Sequence, residues 1–122
     1  MISIIASDMD GTLLNNEMVV SDFNADAIRQ AQQQGVHFIV STGRRFSEAQ
    51  PLLAAQGITA PLITLNGAEV YDASGKMLDM VPITNSVART VFHTLTSQGY
   101  YFEVVGNDGI YSNSKAKRIE QI

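Results

Sequence analysis

Cysteine is absent from the 122 residues of this chain. Its absence excludes thiol catalysis, disulfide bonds and cysteine-based zinc sites, and it fits a reducing compartment. Long apolar runs are absent too, since the N-terminal run at residues 2–6 is far too short to span a membrane and lacks the basic start of a signal peptide. We therefore expect a cytoplasmic protein with no membrane partner.

Positive charge is scarce as well. The chain has 8 basic and 12 acidic residues for a net charge of -4, and its basic cluster consists of Lys115, Lys117 and Arg118. Binding to a nucleic-acid backbone needs an organised basic surface, so we expect no nucleic-acid partner. A small phosphorylated ligand needs only a local site and stays open as a partner.

What the sequence does contain is an alternation of apolar runs and helical periodicity. Strand-length apolar runs lie at 3–7, 36–41 and 61–65, and amphipathic segments separate them at 22–34 and 47–56. The first run is continuous, which predicts a central strand buried on both faces. The pattern predicts an α/β fold: a three-stranded parallel, Rossmann-like half-core with helices on both faces.

The helical segments carry end signals. Ser21 is a suitable N-cap for the first helix, whose apolar series starts at Phe23, and Gly35 is a suitable stop. Pro51 fits the second helix only in its first turn. After residue 68 the pattern changes to a hairpin, a helix over 85–98, a second hairpin and the start of another helix, with no compositional break.

Polar candidates collect where the predicted parallel strands end. Ligands bind at that edge of a parallel sheet, and the sequence places there Asp8, Asp10, Thr42, Gly43 and Asn66. An aspartate after a strand often only caps a turn. Two carboxylates one residue apart repel each other unless a cation or a proton lies between them, and such oxygen ligands suit Mg²⁺.

The aspartate pair also suits covalent chemistry. One carboxylate can attack phosphorus to form an aspartyl-phosphate, while the other protonates the leaving oxygen and then activates water. Gly11 would let the backbone approach a phosphoryl group closely, and successive loop N–H groups would bind its oxygens.

Three segments resemble a known family. The stretch DMDGTLL, Asp8–Leu14, is similar to the first motif of the haloacid dehalogenase superfamily of phosphatases. STGR, Ser41–Arg44, and LNGA, Leu65–Ala68, resemble the second motif and the third-strand loop of its Cof-like sugar-phosphatase subclass. The three matches occur in order and at predicted strand ends.

The resemblance implies a role for each matching residue. Asp8 would be the nucleophile and Asp10 the general acid/base, and Mg²⁺ would bind the Asp8 carboxylate and the Asp10 backbone carbonyl. The implied phosphate or substrate contacts are Met9, Gly11, Thr42, Gly43, Arg44 and Asn66. Without the motifs, the Thr42 hydroxyl could equally satisfy its own backbone, and Asn66 could form only an Asx turn. Arg44 and Arg45 could each orient substrate or support the loop by ion pairing, and for Arg45 we expect the supporting role.

The family's later motifs have no counterpart here. Its third-motif lysine and its fourth motif, GDxxND, both lie on later strands of the core and are missing. The chain thus resembles the N-terminal part of a family member, with the beginning of the core at 1–82 and the start of an incomplete cap at 83–122. Uncovered strand edges and apolar faces would favour a homo-oligomer.

The expected function is that of a Mg²⁺-dependent phosphatase acting on small phosphorylated metabolites, such as sugar phosphates, through a phospho-aspartyl intermediate. The missing lysine and acid predict an impaired rate in this chain. The alternative is a non-catalytic phosphate- or metal-binding or self-associating module. A response-regulator receiver domain fits less well, because the hairpins interrupt the βα repetition it needs. His37 and His93 are expected in surface or packing roles.

Overall fold

The structure is a computed structural model that describes residues 2–106 and 109–113. The chain divides into two compact units, Met1–Pro82 and Ile83–Ile122. Two predictions lie outside the described residues: the final helix and the basic cluster of Lys115, Lys117 and Arg118.

The first unit alternates strands and helices before it ends in a hairpin. Its elements are β1 (Ile4–Ser7), α1 (Asp22–Gln33), β2 (His37–Ser41), α2 (Phe46–Ala54), β3 (Leu62–Thr64), β4 (Glu69–Tyr71) and β5 (Met77–Met80). The strands form one five-stranded sheet in the order β1-β2-β3-β4-β5. β1, β2 and β3 run parallel, and the hairpin adds two antiparallel strands. The predicted α/β class is confirmed.

The helix ends follow local chemistry, with one exception. The Ser21 hydroxyl accepts a hydrogen bond from the Asn24 N–H at 3.2 Å, and Gly35 has a φ of +81°. Pro51 lies inside α2, beyond its first turn, so the prediction for this residue is wrong. The helix tolerates it because Pro51 and Ser47, whose carbonyl loses its donor, are both exposed to water.

The core lies against one face of the sheet. Phe38 and Val40 alternate along β2 and are buried, and Val40 pairs in register with buried Leu62 of β3. Both helices join the same core cluster through Ala25, Ile28, Ala49 and Leu53. The predicted cover on both faces is absent from the described residues, because successive strands added in one direction by right-handed crossovers bring both helices to one face.

β1 is an edge strand rather than the predicted central one. In the described part of the chain it pairs only with β2, and Ile4 is 57% exposed and Ile5 39%. Burial of a strand depends on what pairs beyond it, which the strand's own sequence does not contain. Phe23 is also 82% exposed, because α1 buries Ala25 and Ile28 instead.

The second unit contains α3 (Asn85–Ser97), β6 (Glu103–Gly106) and β7 (Gly109–Ser112). β6 and β7 form an antiparallel two-stranded sheet, and the rings of Phe92 and Phe102 stack with centroids 5.4 Å apart. Its assignment as the start of a cap stays a prediction. Within the described residues, no helix has both the length and the apolar character needed to cross a membrane.

Candidate active site

The loop after β1 carries the two aspartates. The residues that follow Asp8 wind into a tight turn, with the side chains of Met9 and Leu13 buried in the core. This anchoring leaves Asp8 and Asp10 exposed. Gly11 adopts a φ of +73°, a left-handed conformation that residues with a Cβ rarely take. Because the Met9 side chain is buried, any phosphate contact of Met9 would use its backbone.

The Asp8 carboxylate is held by one neighbour. The Thr12 hydroxyl donates to Asp8 Oδ2 at 3.0 Å. Among the described residues, Asp8 Oδ1 has no hydrogen-bond partner, so it can approach a ligand. Sequence reasoning gave Thr12 no role, although a threonine four residues after an aspartate on a tight turn is placed to reach back to it.

Thr42 lies at the end of β2 and is only 4% exposed. Its N–H donates to the Ile63 carbonyl at 2.9 Å, and its Oγ1 accepts from the Arg44 N–H at 3.2 Å. The local backbone thus satisfies the acceptor side of the hydroxyl, as one of the two sequence interpretations expects. Among the described residues the hydroxyl proton of Thr42 has no acceptor, so it is available to a ligand.

The loop after β3 is fastened to the loop after β2. The N–H groups of Leu65 and Asn66 donate to the carbonyls of Arg44 and Thr42 at 3.0 and 3.1 Å. Leu65 and Asn66 have φ angles of +50° and +56°, a left-handed conformation that costs roughly 1–2 kcal/mol for a residue such as leucine and that asparagine adopts more readily. A Cβ on Gly43 would lie 3.1 Å from Asn66 Oδ1, so a side chain at position 43 would displace Asn66.

These loops enclose a small cleft at the carboxyl edge of the sheet. It has a volume of about 250 Å³ and is lined by Ala6, Ser7, Asp8, Ser41, Thr42, Gly43 and Asn66. Four predicted site residues therefore meet in one place, and Ser7 and Ser41 are additions that their strand-end positions could have suggested. No lysine is among these lining residues. A larger cleft of about 430 Å³ beside α2 contains none of the predicted site residues.

Asp10 and Arg44 form a bidentate ion pair next to this cleft. Arg44 Nη2 donates to Asp10 Oδ1 at 2.7 Å, and Arg44 Nε donates to Asp10 Oδ2 at 2.8 Å. These hydrogen bonds lower the pKa of Asp10 below its usual value and raise the pKa of Arg44. In this arrangement Asp10 is a carboxylate at neutral pH, a form that can accept a proton but must be protonated before it can donate one.

The donor atoms fit a hard cation. Asp8 offers an exposed carboxylate, and Mg²⁺ commonly takes one or two carboxylates and leaves its other positions to water and substrate phosphate. The described residues contain no group of three or more His, Cys, Asp or Glu side chains that could hold a metal. A bound ion would therefore also need ligands of other kinds, such as backbone carbonyls, water and substrate phosphate.

Sequence comparison relates the chain to phosphatases. A model of the haloacid dehalogenase-like hydrolase family matches residues 5–122. The phosphatase YwpJ of Bacillus subtilis is 35% identical over 116 residues, which are 95% of this chain and 41% of that protein. The HMP-PP phosphatase of Serratia proteamaculans is 35% identical over 94 residues, 77% of this chain and 34% of that protein.

Structural comparison agrees. A haloacid dehalogenase-like hydrolase from B. subtilis superposes with a TM-score of 0.88 at 34% identity, covering 98% of this chain and 42% of that one. The chain thus spans well under half the length of the relatives cited here. The matched residues and the shared fold together place the chain in the haloacid dehalogenase-like hydrolase family.

Proposed function

We propose that this chain carries part of the active site of a Mg²⁺-dependent phosphatase for small phosphate esters, such as sugar phosphates. The observation that carries the proposal is the position of Asp8. Asp8 lines a cleft together with Thr42 and Asn66, at the sheet edge where ligands bind. Named phosphatases among the relatives support the same chemistry.

The proposed reaction proceeds in two steps. In the first, an Asp8 oxygen bonds to phosphorus while the bond from phosphorus to the ester oxygen breaks, and the protonated form of Asp10 gives that oxygen a proton. In the second, water attacks the phosphorus of the aspartyl-phosphate, Asp10 takes a proton from the water, and Asp8 leaves as a carboxylate. The net reaction converts ester and water into alcohol and phosphate.

The other residues of the cleft bind and orient the phosphoryl group. Thr42 donates its free hydroxyl proton to a phosphoryl oxygen, and backbone N–H groups around Gly11 offer further donors. Asp8 through its carboxylate and Asp10 through its backbone carbonyl would hold Mg²⁺. When bound, the ion would lessen the repulsion between the Asp8 carboxylate and the phosphate dianion.

The test is hydrolysis of p-nitrophenyl phosphate by the 122-residue chain with and without Mg²⁺. We expect slow turnover that a chelator abolishes, because none of the described residues that line the cleft is a lysine that could balance the developing charge. Asp8→Asn should lower kcat by about a thousandfold or more, since the nucleophile is lost. The matched control is Asp22→Asn, an exposed aspartate at the start of α1.

Two results would count against this proposal. If Asp8→Asn retained activity, Asp8 could not be the nucleophile. If this chain turned over substrate as fast as the longer relatives do, the expectation of an impaired rate would be wrong.

A second candidate function is a non-catalytic module that binds phosphate or metal, or associates with itself. The exposed apolar residues of β1 favour self-association. Calorimetric binding of Mg²⁺ and inorganic phosphate without any turnover would support this candidate over the first.

A further inference from the structure

The guanidinium of Arg44 connects the loop after β2 to the loop after β1. Both oxygens of Asp10 receive hydrogen bonds from it, at 2.7 and 2.8 Å. The two residues are 34 positions apart in the chain. A bidentate arginine–carboxylate pair fixes the plane of the carboxylate as well as its position.

The backbone of Arg44 is itself held in place. Its N–H donates to Thr42 Oγ1 at 3.2 Å, and its carbonyl accepts from the Leu65 N–H at 3.0 Å. The Arg44 side chain is 27% exposed, so part of it is packed. The loop that contains Arg44 is therefore held by its own hydrogen bonds. The position of this loop sets the position of the guanidinium, and so that of Asp10.

The neighbouring arginine has a different partner. Arg45 Nη2 donates to Glu48 Oε1 at 2.7 Å within the first turn of α2. Two adjacent cations of the same type thus divide their contacts, one to the candidate acid/base and one to a helix end. Arg45 is a natural control for any effect of charge or size at Arg44.

We infer that Arg44 is a positioning residue, which holds the Asp10 carboxyl group in the orientation from which it exchanges protons with the leaving oxygen and with water. The inference rests on the proposed function. Each Asp10 oxygen has its own donor on Arg44, so the pair fixes both the position and the plane of the group that would exchange protons. The role differs from the direct substrate contact that the sequence resemblance implies for Arg44.

The first measurement compares two substrates. p-Nitrophenyl phosphate has a good leaving group that needs little protonation, whereas glycerol 2-phosphate has an alkoxide leaving group that depends on the acid. General acid catalysis accelerates a reaction by about a hundredfold or more. Arg44→Gln should therefore lower the ratio of kcat/KM for glycerol 2-phosphate to kcat/KM for p-nitrophenyl phosphate about tenfold. The lysine of Arg44→Lys can reach one Asp10 oxygen, so its ratio should lie between those of the unsubstituted chain and Arg44→Gln. Arg45→Gln should leave the ratio unchanged. A purely structural role would slow both substrates alike and keep the ratio.

The second measurement needs no turnover. Calorimetric titration with inorganic phosphate should give a Kd for Arg44→Gln within about twofold of that for the unsubstituted chain. The reason is that the Arg44 guanidinium donates its hydrogen bonds to Asp10 and not to phosphate. Weakening by tenfold or more would overturn the inference and make Arg44 a phosphate ligand. An unchanged substrate ratio in Arg44→Gln would overturn it as well. Failure of the proposed function has a different signature, because the unsubstituted chain would then hydrolyse neither ester, whether or not it binds phosphate.

Discussion

The two units of the chain differ in how much they bury. Within residues 2–106 and 109–113, every buried side chain belongs to the first unit and lies between Met9 and Thr64. In the second unit, α3 has no buried residue, and side chains such as Val87 and Tyr100 are 52% and 57% exposed. The first unit therefore has a core of its own, while the described part of the second does not.

The difference explains why the candidate site lies where it does. The loops that carry Thr42 and Asn66 leave β2 and β3, whose inward residues are buried, and backbone hydrogen bonds fasten these two loops together. The loop that carries Asp8 is anchored by the buried side chains of Met9 and Leu13. A site needs side chains held within a fraction of an ångström. Only the unit with a packed core supplies that support among the described residues.

The sharpest test of the comparison is a pair of identical truncations. Leu53→Ala removes a side chain that is 2% exposed and should lower the free energy of unfolding by about 2–5 kcal/mol. Leu95→Ala, on partly exposed α3, should cost roughly 1 kcal/mol or less because less area returns to water. Urea denaturation followed by circular dichroism measures both. Equal losses would contradict the claim that burial is concentrated in the first unit.

The exposed edge of the first unit should make the chain associate with itself. Ile4→Lys places a charge on β1, and we expect it to weaken association about tenfold, since charged residues on edge strands oppose pairing. Val87→Lys is the control, because Val87 is similarly exposed, at 52% against 57% for Ile4. Size-exclusion chromatography with light scattering gives the mass. A chain that is monomeric before substitution, or an equal effect of Val87→Lys, would contradict this prediction.

Acid sensitivity should also belong to the first unit, with the smallest effect. The hydrogen bond from Arg45 lowers the pKa of Glu48, so this pair adds stability above the unfolded pKa of about 4.3 and loses it as pH falls through the folded value. Because Glu48 is 42% exposed, Glu48→Gln should cost only a few tenths of a kcal/mol at pH 7. It should also flatten the loss of stability below pH 4.3. Thermal melts at a series of pH values measure this. If the melting temperature of Glu48→Gln fell below about pH 4.3 as steeply as that of the unsubstituted chain, the stabilising role of the pair would be contradicted.

Local signals in the sequence predicted most of the fold. Apolar runs that end in small polar residues became β1, β2 and β3, and Ser21 and Gly35 bound α1 because capping and left-handed glycine are local chemistry. Strand-end positions also predicted that Asp8, Thr42 and Asn66 would meet. These features depend on residues near one another in the chain or on a general rule for parallel sheets.

Features that depend on distant partners were not predictable in the same way. The sequence left Arg44 between a substrate contact and an ion pair that supports the loop, and it did not name Asp10 as the partner, because this contact joins loops of different strands. β1 was expected to be central, yet its exposure depends on what pairs along its outer edge. Phe23 matched a helical stripe, but the packing of α1 selected the neighbouring face.

The central claim is that Asp8 is the nucleophile, and the most direct test is to find the phosphoryl group on it. The chain is mixed with p-nitrophenyl phosphate and Mg²⁺, and the reaction is quenched in acid. The protein is then digested, and the masses of its peptides are measured by mass spectrometry. We expect one phosphoryl group on the peptide that contains Asp8, removable by hydroxylamine and absent from Asp8→Asn. A phosphoryl group on any other residue, or turnover with Asp8 never modified, would contradict the account.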